Sequence, residues 1–343
     1  MDVFPPTDGI YMRIGSFLFG FSWALLTIAL TARAENYLSD TITSDETAEI
    51  SADACEPCGC LADSYECCDC FNGRRRILGM LPSDHCFDRF ISPISNPFFF
   101  EDPRSLTEAR GIFIENSLPS GISTGDVQVW AGQLRGRVSD RLSVIAPRLA
   151  YWQVNEAGGG APRGFMSAPV GFKYNFVRDV ERQLLVSGGI TYFIPSTNQN
   201  LPPIGSGDFH FFLTGGAQLY DRAHWLSGTG FRIPSDSNWG TQLWYWSNQW
   251  DYELPGHIYP LVGVNWFHWM KSSNTGFTGP ITGLDLINLP ASGVAGSNVV
   301  TGLVGLKWKP SGHVEVGGGY EFPMTRNEDI LSNRAYADVI LRY

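Results

Sequence analysis

An antiparallel transmembrane β-barrel of about twelve strands is the fold this sequence predicts, and three observations lead to it. From residue 111 to residue 343 the chain runs in segments of alternating apolar and polar residues separated by turn residues. The connections between those segments alternate between short and long. The last segment closes on an aromatic residue, Tyr343.

The alternation is plainest near the end of the chain. In residues 313–322 one face reads Val314, Val316, Gly318, Tyr320 and Phe322, and the other His313, Glu315, Gly317, Gly319 and Glu321. Residues 334–343 set Ala335, Ala337, Val339, Leu341 and Tyr343 against Arg334, Tyr336, Asp338, Ile340 and Arg342. Residues 166–176 repeat the pattern, with Val170, Phe172, Tyr174 and Phe176 opposite Gly171, Lys173 and Asn175. Successive side chains of a strand point to opposite faces, so each segment offers one apolar and one polar surface. A soluble sandwich would alternate in the same way, so the period alone does not select the barrel.

The connections do. Strands are expected at 111–116, 126–138, 141–152, 165–177, 182–194, 208–220, 223–233, 239–250, 257–269, 298–308, 312–322 and 333–343. Short turns fall at 139–140, 179–180, 221–222, 252–256 and 310–311, and every one lies on the same side as both ends of the series. The longer connections lie on the other side, including 155–163, 196–207, 271–297 and 323–332. Outer-membrane barrels obey that parity, and Greek-key sandwiches have no reason to. An alternating terminal strand that ends on an aromatic looks like the signal read by the barrel-assembly machinery. Aromatics toward the strand ends (Trp152, Phe165, Tyr192, Tyr220, Trp225, Trp239, Trp250, Trp266, Trp269 and Trp308) suit the headgroup zone of a membrane or, alternatively, core packing.

Composition agrees. With 24 basic and 34 acidic side chains the formal net charge is −10, which argues against a nucleic-acid partner. A mean hydropathy of −0.08 excludes a polytopic helical membrane protein. One apolar run, residues 14–30, follows Met12 and Arg13 and precedes Ala32-Arg33-Ala34, the pattern of a secretory signal peptide over residues 1–34. A single N-terminal anchor is the alternative, and translation from Met12 would suit the signal better than Met1. Residues 35–54 read as a disordered leader, 55–86 as a Cys-rich segment, 87–110 as a Pro- and aromatic-rich segment serving as plug or periplasmic lid, and 111–343 as the barrel. Both termini are expected in the periplasm.

The cysteines are Cys55, Cys58, Cys60, Cys67, Cys68, Cys70 and Cys86. Their spacing allows a Cys₄ metal site, but export to an oxidising compartment favours disulfides, and no metal or cofactor is expected. Seven is odd, so one cysteine is left free or joins another chain in an oligomer or to a periplasmic partner.

Residues 84–119, with Pro93-Ile94-Ser95-Asn96-Pro97, Phe99-Phe100-Glu101-Asp102-Pro103-Arg104 and Leu106-Thr107-Glu108-Ala109-Arg110, resemble a family of signal-peptide-bearing, barrel-type outer-membrane proteins of planctomycete bacteria. The resemblance continues through residues 184–195, 225–246 and 284–309 to the C-terminus. It implies an architecture and a location, and it assigns no activity or catalytic residue.

Alternation then nominates the side chains of the lumen: Lys173, His210, Lys307, Glu315, Glu321, Arg334, Asp338 and Arg342, with Arg135 and Arg137 as further candidates and His313 on the same face. Mixed charge of this kind lines a narrow channel for small polar solutes, or else closes on itself as a salt-bridge network in a blocked barrel. The second expectation is a structural protein that anchors the envelope through its Cys-rich leader. An outer-membrane hydrolase is disfavoured, because no serine or aspartate is tied to any histidine by a recognisable motif. The run Phe98-Phe99-Phe100 needs burial, which makes 87–104 a candidate plug, and the long loop 271–297 is a candidate lid.

Overall fold

The computed structural model describes residues 76–123, 125–155, 163–195, 207–278 and 281–343. The predicted signal peptide, the leader and the cysteines from Cys55 to Cys70 lie outside the described residues.

Twelve long antiparallel strands follow one another around a closed barrel: β1 (Glu108–Ser117), β2 (Asp126–Arg137), β3 (Leu142–Asn155), β5 (Pro169–Asp179), β6 (Leu184–Phe193), β7 (Asp208–Tyr220), β8 (Ala223–Pro234), β9 (Gln242–Tyr252), β10 (Ile258–Lys271), β13 (Asn298–Ser311), β14 (Val314–Pro323) and β15 (Asn333–Arg342). Three minor strands, β4 (Arg163–Phe165), β11 (Phe277–Thr278) and β12 (Ala291–Ser292), decorate the long connections. The seam closes where β1 pairs with β15, from Glu108 opposite Arg342 to Ser117 opposite Asn333. Closure leaves no unpaired edge, as a strand structure in lipid requires.

All twelve expected strands are present, with shifted ends. The first begins at Glu108, not 111, because its first three residues pair with both β2 and β15 and complete the ring. The strand expected at 165–177 is split. β3 pairs with β5 only over residues 142–145 and with β4 over residues 151–153. Between these stretches lies Pro147, which has no N–H to give to a ladder. The Arg148 guanidinium bridges the gap instead, donating to the Ser167 carbonyl at 3.1–3.2 Å.

The short-turn parity holds. Both ends of the strand series and all the short turns lie at one end of the barrel, and the long connections at the other. The outer face carries Val170, Phe172, Tyr174 and Phe176 on β5 and Val339 and Leu341 on β15, all exposed. Among the aromatics named above, Phe165, Tyr220, Trp239 and Trp308 are exposed on the outside, whereas Trp152 and Trp269 turn inward and are buried. No helix among the described residues is long and apolar enough to cross a membrane. Arg in place of Phe172, in the middle of the outer band, is expected to cost about 2–4 kcal/mol of folding stability in lipid vesicles, read by equilibrium denaturant titration.

Candidate functional site

The inside of the barrel is the site, and it is filled. Residues 90–108 are buried without interruption, which no strand with one wetted face could be. This segment enters from the short-turn end, where Ser83 N donates to the Tyr343 carbonyl and a short 3-10 helix, His85–Phe87, is capped by Asp84. It turns back at Asn96, whose positive φ of 47° is tolerated by asparagine better than by most residues. The Asn96 carbonyl accepts from the amides of Phe99 and Phe100, and the side-chain amide donates to Ser247 at 2.9 Å.

An irregular segment in a dry interior needs partners for its backbone, and the wall supplies them. Gln249 accepts from the Ile94 amide and Glu315 from the Ser92 amide. Gln133 donates to the Pro97 carbonyl, Tyr245 to that of Phe99, Thr214 to that of Glu101 and Ser187 to that of Pro103. The wall also makes room. A Cβ at Gly228 would lie 2.6 Å from the Phe100 ring. Phe87, Phe90 and Phe100 pack with Leu185 and Leu226, while Phe98 and Phe99 join a second cluster that reaches Leu284 and Leu286 of the long loop.

Charge explains why the segment stays. The basic side chains buried on the wall are Arg110, Arg135, Arg137, Arg148, Lys173, Arg232, Lys307, Lys309, Arg334 and Arg342, against Glu108, Asp251, Glu315, Glu321 and Asp338. The wall alone is therefore basic. The inserted segment and the loops of the far end add the buried carboxylates Asp84, Glu101, Asp102, Asp285 and Asp329, and one cation, Arg104. Glu101 takes Arg135 at 2.6 Å and Lys173 at 3.1 Å, and Lys173 also donates to the carbonyls of Asp102 and Arg104. Asp102 is gripped by Arg104 at 2.7 Å. Arg342 joins Glu108 and Glu315, both at 2.8 Å, and reaches Ser92 on the inserted segment. Lys307 joins Glu315 at 2.6 Å and Asp338 at 3.0 Å, and Arg110 also reaches Asp338.

A second stopper comes from the long-loop end. Residues 281–289, between β10 and β13, fold inward, and their carbonyls receive wall arginines: Arg148 donates to Leu286 and Arg232 to Leu284 and Ile287. Arg334 pairs with Asp285 at 2.8 Å, and Glu321 accepts from Tyr336 and Thr301. Asp329, on the β14–β15 connection, latches this loop by accepting from the amides of Thr282 and Gly283. Burial pushes the Asp329 carboxyl up to about 6, against those hydrogen bonds, which pull it down.

Of the eight side chains nominated for the lumen, Lys173, His210, Lys307, Glu315, Glu321, Arg334, Asp338 and Arg342 are all buried on the inner face. His313 is not: it is exposed at the short-turn rim, its ring against the Arg342 carbonyl, because β14 begins only at Val314. His210 is enclosed. Its ring nitrogens meet Tyr245 and Thr191, and Phe99 lies over it with ring centroids 4.9 Å apart. Sequence reasoning missed Arg148, Arg232 and Asp329. Arg232 shares strand parity with Gly228 and His224 and was accessible to that argument, whereas the β3–β5 gap conceals Arg148.

No family model matches this chain, and no curated protein sequence does. Among solved structures the chain is similar to an outer membrane channel from Pseudomonas putida F1, at 10% identity and a TM-score of 0.50, over 74% of this chain and 100% of that one. The transport unit of the autotransporter AIDA-I from Escherichia coli aligns at 13% identity and a TM-score of 0.43, over 76% and 97% of the two chains. A KdgM porin aligns at 8% identity and a TM-score of 0.42, over 69% and 99%. The chain has the fold of the outer-membrane β-barrels.

Three outcomes test the site. Ala in place of Glu101 leaves Lys173 without its carboxylate and Arg135 with only Glu108. A cost on the order of 3–5 kcal/mol is expected, with faster hydrogen exchange across residues 90–104. Gly228→Val, which removes the seat of Phe100, should loosen the same residues. At the other end, the raised Asp329 pKa means that the docked loop binds a proton more readily than the free one. Its docking is therefore strongest below the free carboxyl's value of about 4 and weakens as pH rises through 6. Amide exchange at Thr282 and Gly283, corrected for its intrinsic rate, should speed up by as much as ~100-fold between pH 4 and pH 7, and Asp329→Asn should abolish the trend.

Proposed function

We propose that the chain is a bacterial outer-membrane channel for small polar solutes, exported by its signal peptide, with the short-turn end in the periplasm and the lumen closed from both ends in this conformation. The observation that carries the reading is the charge of the wall. Its excess cations are neutralised by an inserted segment and a loop, so withdrawing those stoppers leaves a basic, water-accepting lumen that passes small anions better than cations. The apolar outer face suits outer-membrane lipid, and the terminal strand ending at Tyr343 suits recognition by the barrel-assembly machinery.

A second reading, a structural protein anchored through its Cys-rich leader, is favoured by the filling of the lumen along its length. In that reading the cysteines form disulfides among themselves or with a partner chain, while the barrel never opens.

Single-channel recording in a planar bilayer separates the two. The full chain is expected to be silent or to open rarely. The chain lacking residues 82–104, shown to be folded by its heat-modifiable gel migration, should carry steady current with a reversal potential displaced toward that of chloride in a salt gradient. Silence of a folded, truncated barrel would remove the channel reading and leave the anchor.

A further inference from the structure

Where the two stoppers meet, a small cavity remains between Phe99 of the inserted segment, Leu286–Asn288 of the loop, and the wall residues Arg148, Trp152, Phe193, Asp208 and Arg232. Its free interior, about 20 Å³, has room for one or two water-sized groups.

Two guanidiniums border it, and neither has a carboxylate within ion-pair distance among the described residues. Arg148 gives its N–H groups to the Leu286 carbonyl and to Ser167, so its hydrogen bonds are met while its charge is not. Arg232 spends Nη1 on the carbonyls of Leu284 and Ile287, and its Nε and Nη2 have no partner among the described residues. Those two N–H groups form the side-on edge of the guanidinium, the parallel pair of donors that grips a carboxylate. The Trp152 indole N–H, also buried and also lining the cavity, is a third donor without a partner among the described residues. The one acidic residue present, Asp208, is held by Asn288 at 2.8 Å. Among the residues that line the cavity, two cations face one anion. Phe98 and Phe193 lie against Arg148, 5.4 and 4.7 Å from ring centroid to guanidinium carbon, and Phe99 lies 5.4 Å from that of Arg232, so the planes are held in place.

Buried donors without acceptors are costly, and a cavity lined by three of them and by two guanidiniums suits an anion. We infer that this cavity binds the carboxylate of a small organic anion, its two oxygens on the Nε–Nη2 edge of Arg232, with the Trp152 N–H donating to one of them and Arg148 supplying the second positive charge. The site sits on the solute's path between loop and inserted segment. The inference deepens the channel reading and takes its biological meaning from it, but its test stands apart.

The test uses the full-length chain in detergent and chloride-free buffer, titrated calorimetrically with sodium acetate and with acetamide as the neutral isostere. Acetate should give saturable one-site heat and acetamide none. Arg232→Gln and Arg232→Lys should each weaken acetate at least tenfold, since neither presents the paired edge. Trp152→Phe should weaken it several-fold, and Arg182→Gln, at a short turn, should leave it unchanged. Folding of each variant is checked by heat-modifiable migration, and Trp152→Phe serves if the Arg232 variants do not fold. Absence of saturable acetate heat, equal heats for acetate and acetamide, or unchanged binding in a folded Arg232 or Trp152 variant would overturn the site. Acetate binding without current through the truncated barrel would overturn the channel and leave the site standing; current without acetate binding would do the reverse.

Discussion

A barrel wall with ten buried cations and five buried anions cannot be dry unless something else brings negative charge, and Glu101 is where that need is met most directly. Its carboxylate sits between Arg135 on β2 and Lys173 on β5, two strands otherwise separated by β3. Lys173 then turns the same ammonium to the carbonyls of Asp102 and Arg104, so one wall residue fixes both the charge and the backbone of the inserted segment. Buried ion pairs are favourable only when the remaining donors and acceptors are also satisfied, and here they largely are.

The remaining geometry is arranged around that clasp. Gly228 leaves space for Phe100, beside the clasp, and Phe98 and Phe99, just past the turn at Asn96, meet Leu284 and Leu286 of the long loop. The two stoppers thus pack against each other as well as against the wall. They differ in kind. The inserted segment is held by ion pairs and by hydrogen bonds from nearly every side of the barrel. The loop is held through its carbonyls by Arg148 and Arg232, by one ion pair between Asp285 and Arg334, by the Asn288 side chain on Thr241 and Asp208, and by the latch at Asp329. The loop end carries the contact most sensitive to pH near neutrality, the Asp329 latch.

The arginines at the loop end show how a wall can be both plugged and unfinished. Guanidiniums that face carbonyls are solvated but not neutralised, and those of Arg148 and Arg232 keep their charge inside a small enclosed space. The same arrangement that closes the barrel therefore leaves a pocket lined by two guanidiniums within the closure.

How much of this was legible beforehand divides along a physical line. Alternation is a property of neighbouring residues, so the strands, the outward set that includes Phe172 and Leu341, and the inward set that includes Lys173, Glu315 and Arg342 could all be read from the chain. The parity of turns and loops, also local, was enough to select a barrel over a sandwich. What alternation cannot say is what stands across from an inward side chain. Arg342 meets Ser92 across 250 residues of sequence and Arg334 meets Asp285, and only closure of the seam and insertion of residues 90–108 bring such pairs together. The burial of Trp152 and Trp269 and the pocket at Arg232 belong to the same class. Each depends on which segment occupies the lumen, and that is decided by the net charge and shape of the whole wall, which no single stretch of sequence carries.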